Sequence, residues 1–156
     1  MHNYSTQTIL APAAVLALWS MIMLLWVIVT RFPHLADASK KMLADQKQQQ
    51  GPHTDGRRYS DVEKYMPASA NWKSHNYTHL MEQPTVFYAV VGILALAGQG
   101  NGLNTWLAWG YVGLRIVHSV WQSTINKIPV RIALFALSSL CLIALAVHAV
   151  MATLLR

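Results

Sequence analysis

Acidic residues are scarce in this chain: six Asp+Glu stand against twelve Lys+Arg in 156 residues, and charged residues of both signs make up only 12%. A soluble domain carries about 25% charged residues, so half the usual supply of surface charge is missing. Disorder is excluded as well, because it needs low hydrophobicity and 54% of the residues are hydrophobic. Cysteine is nearly absent. The single Cys141 rules out an internal disulfide framework and a cysteine-based zinc cluster. Its neighbours Leu140, Leu142 and Ile143 mark it as a small buried hydrophobe rather than a reactive thiol. The net charge of +6 invites a nucleic-acid reading, but that requires a basic patch on a water-facing surface. The basic residues here lie in polar stretches between long apolar runs, so no nucleic-acid partner is expected.

The apolar runs set the architecture. Residues 8–29 contain no charge and are long enough to cross about 30 Å of hydrocarbon as a helix. The run lacks a basic n-region, is too long for a signal-peptide core, and gives way to Arg31-Phe32-Pro33 with no small-residue cleavage site. It reads as a retained transmembrane helix. The composition then flips, and residues 31–74 are expected to be a long polar loop, with a surface helix at 36–50 stopped by Gly51-Pro52. Further spans are expected at 75–98, 103–125 and 130–155, separated by the glycine-rich turn 98–102 and by Pro129. The chain is thus expected to form one domain over 1–156: an all-α integral membrane protein, a four-transmembrane-helix up-down bundle in contact with the lipid bilayer.

With four spans, the long loop and the 126–131 connection share one side. That side holds Arg31, Lys40, Lys41, Lys47, Arg57, Arg58, Lys64, Lys73, Lys127 and Arg131, while the other holds Arg156. The positive-inside rule makes the loop cytoplasmic and places both termini on the non-cytoplasmic side. Most of the basic excess is therefore a topology signal.

Two charges fall within or at the end of spans. Glu82 and Arg115 each cost about 2.5–3.5 kcal/mol at mid-bilayer, so each should face the bundle and find a partner. They either pair with each other and lock two helices, or line a polar cavity open to the cytoplasm. Helical spacing favours the cavity. Tyr111, Arg115, His118 and Gln122 follow i, i+4, i+7, i+11 on one face, and His75, His79 and Glu82 follow i, i+4, i+7 on another. Both stripes lie toward the basic side, where Arg131 also sits, and guanidinium groups there would suit an anionic ligand. The His75, His79, Glu82 spacing, with His118 as a fourth group, also matches metal ligation. No second such motif accompanies it, so no metal is expected. His148, alone on the apolar fourth span, reads as a hydrogen-bonded packing residue.

The residues that carry these stripes also carry a resemblance. The segment Asn76-Tyr-Thr-His-Leu-Met-Glu82-Gln-Pro84-Thr-Val-Phe87-Tyr88 resembles the second-helix signature of the MAPEG family, the membrane-associated proteins in eicosanoid and glutathione metabolism. Trp109-Gly-Tyr111-Val-Gly-Leu-Arg115-Ile-Val-His118-Ser119, followed by Asn126 and Pro129-Val-Arg131, resembles the third-helix signature. The resemblance implies a homotrimer in a bacterial inner membrane, with glutathione bound between subunits near the cytoplasmic face. Glu82 would help hold the tripeptide, Arg131 would stabilise its thiolate, and Arg115 and His118 match the Arg-Ile-Val-His stretch of a prostaglandin synthase of the family. Where the eicosanoid enzymes have arginine, asparagine and tyrosine, this chain has His75, His79 and Gln122. The implied activity is a glutathione-dependent transferase or peroxidase acting on lipophilic electrophiles or lipid hydroperoxides. In the alternative, suggested by those three replacements, the chain is a non-catalytic trimeric scaffold or accessory subunit that has lost glutathione.

Overall fold

The computed structural model describes residues 8–49 and 59–155, and among these the secondary structure is entirely helical. The order is α1 (Leu10–Gln49), α2 (Tyr59–Glu63), α3 (Ala68–Leu96), α4 (Leu103–Thr124) and α5 (Ile128–Leu154). The expected Gly51-Pro52 helix stop and the topology charges Arg57, Arg58 and Arg156 lie outside the described residues.

Helix α1 overturns the expectation that the first span gives way to a loop at residue 31. It runs for 40 residues and carries Pro33 in its interior. At 1.5 Å per residue that is roughly 60 Å, about twice the hydrocarbon thickness of a bilayer. Two physical reasons explain the continuation. The polar stretch after Pro33 is rich in Ala, Lys, Leu, Met and Gln, all good helix formers, so hydropathy changes while helix propensity does not. The extension is also docked: Arg31 is buried and donates from Nη1 to Ser74 Oγ of α3 at 2.7 Å, and Ala38 is buried one turn beyond His34. Tyr65 Oη, just past α2, donates to Asp45 Oδ2 at 2.7 Å. The expected surface helix is therefore a continuation of the first span. For the same reason α3 begins at Ala68, seven residues before the expected start.

The remaining boundaries follow local signals. Gly98 and Gly102 take positive φ (74° and 60°) in the turn between α3 and α4, a region that side chains other than glycine rarely enter. Asn126 does the same (φ 54°) after α4, and Pro129 sits in the first turn of α5, where its missing N–H costs nothing.

Helices α1, α3, α4 and α5 pack against one another around Leu16, Met23, Leu80, Phe87, Leu94, Tyr111 and Leu145. Phe87 stacks on Tyr111 with ring centroids 4.5 Å apart. Short polar links cross the helices: Asn76 Nδ2 donates to Ser119 Oγ at 2.6 Å, and Gln83 Nε2 to Ser139 Oγ at 2.8 Å. Such hydrogen bonds between small side chains are a usual device of membrane helices, where a lost bond has no water to replace it. Cys141 and both Trp19 and Trp26 pack, partly buried, against the core.

Helices α1, α3 and α5 are each long and apolar enough to cross a membrane. Many large apolar side chains point outward from them, among them Leu18, Leu25, Val29, Ile132, Leu140 and Val147. A water-soluble fold would not leave so many of them uncovered. Helix α4 falls short in hydropathy because it carries the polar stripe, and that stripe faces inward.

Candidate functional site

Helix α4 places Tyr111, Arg115, His118 and Gln122 on its buried face, with relative exposures of 0%, 1%, 3% and 2%. The 3.6-residue period predicted this grouping. The α3 stripe behaves differently. His75 is 52% exposed at its side chain and Glu82 66%, so this stripe lies along an open edge.

Across that edge the two stripes, α2 and the start of α5 border an open cleft of about 390 Å³, lined by Glu63, His75, Thr78, His79, Glu82, Gln122 and Arg131. A second cavity of about 340 Å³ adjoins it, more apolar, lined by His79, His118, Ile128, Arg131, Ile132 and Phe135. His79 and Arg131 belong to both. Of the seven residues singled out from sequence, His75, His79, Glu82, Gln122 and Arg131 line the polar cavity, and His118 lines the apolar one. Arg115 lines neither.

Arg115 does not pair with Glu82, as one reading of the sequence allowed. Its Nη2 donates to the backbone carbonyl of His79 at 2.9 Å, and its Cζ lies 5.9 Å from the centre of the Phe135 ring. Glu82 instead accepts from His79 Nδ1 at 3.2 Å, one helical turn back on α3. A carboxylate on the exposed edge of α3 cannot reach a guanidinium buried beneath it, whereas a neighbouring imidazole on its own helix can. Similarly, His75 Nε2 lies 2.9 Å from Glu63 Oε1 of α2. The two histidines thus turn to different carboxylates. Among the described residues no group of three or more His, Cys, Asp or Glu side chains could hold a metal ion.

Arg131 is set by its own loop. Asn126, held in the left-handed conformation that ends α4, accepts from Arg131 Nη1 through Oδ1 at 2.8 Å. Arg131 Nε, Gln122 Oε1 and the Arg115 atoms Nε and Nη1 are buried without a hydrogen-bond partner. A buried polar atom left unpaired costs about 1–3 kcal/mol, so the two on cavity-lining residues, Arg131 Nε and Gln122 Oε1, are where a ligand or water would add a bond.

The model of the MAPEG family matches residues 9–151. The chain belongs to the MAPEG family. It is an integral membrane protein, as the family and its apolar helices together require. No curated protein and no solved structure matches it significantly.

Two residues of this MAPEG protein's candidate site, Phe135 and Glu63, were singled out by nothing in the sequence. Phe135 stacks on His79 (5.2 Å between ring centres, 30°) and approaches His118 at 6.4 Å. Glu63 reaches the site from α2, whose position depends on the docking of α1; Asn71 Nδ2 holds the Glu63 carbonyl at 2.8 Å. Asn126, three residues before Pro129, belongs to the third-helix resemblance, but its hold on Arg131 was not legible there. Elsewhere, His148 behaves as the sequence suggested: its Nδ1 lies 2.6 Å from Asn104 Oδ1.

Proposed function

We propose that this MAPEG protein is a four-span, homotrimeric membrane enzyme that uses glutathione as co-substrate, as a transferase or peroxidase toward lipophilic electrophiles or lipid hydroperoxides. The observation that carries the reading is the pair of adjoining cavities, one polar and one apolar, with Arg131 on the shared wall. Glutathione brings two carboxylates, an ammonium and a thiol. In this reading Glu82 takes the ammonium, and Gln122, His79 and His75 supply hydrogen bonds. The thiol lies by Arg131, whose guanidinium favours the thiolate and so lowers the thiol's pKa. The thiolate then attacks an electrophile lodged against Ile128, Ile132 and Phe135, reached laterally from the bilayer. His118 lines the apolar side from α4, and Arg115 supports it from beneath through the His79 carbonyl.

The exposed edge of α3 supports the trimer, because half-open charged groups on a membrane helix are what a neighbouring subunit would cover. Four spans in a bacterial inner membrane, with both termini on the non-cytoplasmic side, complete the proposal, supported by the clustering of lysine and arginine.

The test is spectroscopic. Adding glutathione to the purified protein should raise a thiolate absorbance band that Arg131→Ala abolishes. No band, no binding heat and no turnover of a generic electrophile would leave the non-catalytic scaffold as the surviving reading. A monomer or dimer in native mass measurements would reject the trimer.

A further inference from the structure

A separate open cleft of about 390 Å³ lies between the polar extension of α1 and the chain that follows α2. His34, Asp37 and Lys41 line it from α1, and Lys64, Tyr65 and Met66 line it from the other side. None of these residues belongs to the two cavities around Arg131. Two ammonium groups and an imidazole here face a single carboxylate. Asp37 stands four residues before Lys41, the spacing at which such charges pair on a helix. Among the described residues, however, no salt bridge involves His34, Asp37, Lys41 or Lys64. Lys64 is steadied by its neighbour instead. Its Nζ lies 4.7 Å from the centre of the Tyr65 ring, whose hydroxyl donates to Asp45.

The depth of the cleft says what kind of anion it meets. From Leu10 to Thr30 α1 carries no charge, about 30 Å of helix, and Arg31 is its first ion. Trp26 marks the same membrane boundary, with Lys73 Nζ 5.3 Å from its ring. His34 and Asp37 stand only about 5 and 9 Å beyond Arg31 along the axis. The headgroup layer is roughly 5–8 Å deep on each side, so both residues lie at its level or its edge. Lys41 is about 15 Å on, but helical side chains lean toward the N-terminus, which sends its long stem back toward the membrane. Phe32 and Leu35 are exposed at this level, as side chains facing lipid would be.

We propose that this cleft binds the headgroup of an anionic phospholipid from the adjoining leaflet, with phosphatidylglycerol as the best-matched chemistry. Lys41 and Lys64 take the phosphate as paired point charges, and His34, nearest the membrane, donates to a phosphate or ester oxygen. Asp37 accepts from a headgroup hydroxyl. A zwitterionic headgroup is disfavoured, because its ammonium would sit among two lysines. The bound lipid ties the extension of α1 to the chain after α2, and it does so whether or not the protein uses glutathione.

The experiment uses the full-length protein, delipidated in detergent. It is titrated with phosphatidylglycerol, with phosphatidylethanolamine of the same acyl chains, and with inorganic phosphate, and followed by native mass measurement and thermal unfolding. Phosphatidylglycerol should stay bound at one per chain and raise Tm by about 4 °C. Lys41→Gln with Lys64→Gln should weaken its binding at least about tenfold, the fold-change expected from losing two phosphate contacts. Lys40→Gln with Lys127→Gln removes the same charge from exposed lysines outside the cleft and should bind as wild type does. No binding of phosphatidylglycerol, or equal loss in the two double variants, overturns the site. An equal response to phosphatidylethanolamine overturns recognition of the anion. Displacement of the lipid by inorganic phosphate makes this a soluble-phosphate site and overturns the lipid. If the cleft double variant does not fold, Lys41→Gln alone must weaken phosphatidylglycerol binding about threefold, or the proposal falls.

Discussion

The two ends of this helical protein each carry a cavity, and the larger is the less informative. At the α3–α4 turn, Gln99, Asn101, Leu103, Asn104, His148, Met151 and Ala152 line a space of about 440 Å³. At the other end, the polar cavity around Arg131 measures about 390 Å³. The first end is lined without a charged side chain, and its buried amide is spent internally. Asn104 donates from Nδ2 to the Gln99 carbonyl at 2.8 Å and meets His148 through Oδ1. The second end gathers two carboxylates, two imidazoles and a guanidinium, with buried donor and acceptor atoms left over. Volume is therefore a poor guide; unspent hydrogen-bonding capacity next to charge is what favours the second end as the candidate site.

The largest expected effect separates the two ends directly. Arg131→Ala should lower glutathione-dependent turnover by about 10²–10³-fold, the range typical of losing an electrostatic stabiliser. His148→Ala should leave turnover within about twofold. Equal losses at both ends, measured as kcat/KM on 1-chloro-2,4-dinitrobenzene, would break the comparison.

Next in size is Arg115→Leu. It removes a buried guanidinium that ties α4 to the His79 carbonyl, and a cost of about 2–4 kcal/mol is expected in unfolding titrations in detergent. A neutral or stabilising result would mean that Arg115 is held there for a ligand and contributes nothing to the fold.

Asn104→Ala should cost about 1–2 kcal/mol by leaving His148 and the Gln99 carbonyl without their partner, with kinetics unchanged. A change in thiolate band intensity would instead couple the two ends. The smallest effect belongs to Asn126→Gly. Glycine tolerates the left-handed φ, so stability should change by under about 1 kcal/mol. Arg131 loses its tether, however, and turnover should fall several-fold. Identical kinetics would show that the turn does not aim the guanidinium.

Much of the site was legible because helical geometry makes it so. Residues 111, 115, 118 and 122 must share a face on any α-helix, and an arginine among apolar neighbours must turn that face inward. The turn at Gly98–Gly102 and the break before Pro129 were legible from residues with few backbone alternatives. The path of α1 was not. A change from apolar to polar residues says where hydrocarbon ends, and carries no instruction to stop a helix made of Ala, Lys, Leu and Gln. Phe135 was hidden for a different reason, reaching His79 from a helix remote in sequence, while Glu63, on the preceding short helix, meets His75 only because the turn between them folds back.

By itself, then, the sequence determined what local periodicity and composition can: helices, their burial faces, the membrane as solvent, and the family. Which charged group meets which was decided only in three dimensions. Glu82 and Arg115 both needed a partner, and spacing along separate helices could not say that one would take His79's ring and the other its carbonyl. A partner choice depends on distances of a few ångströms across helix interfaces, and those are set by how the whole set of helices packs.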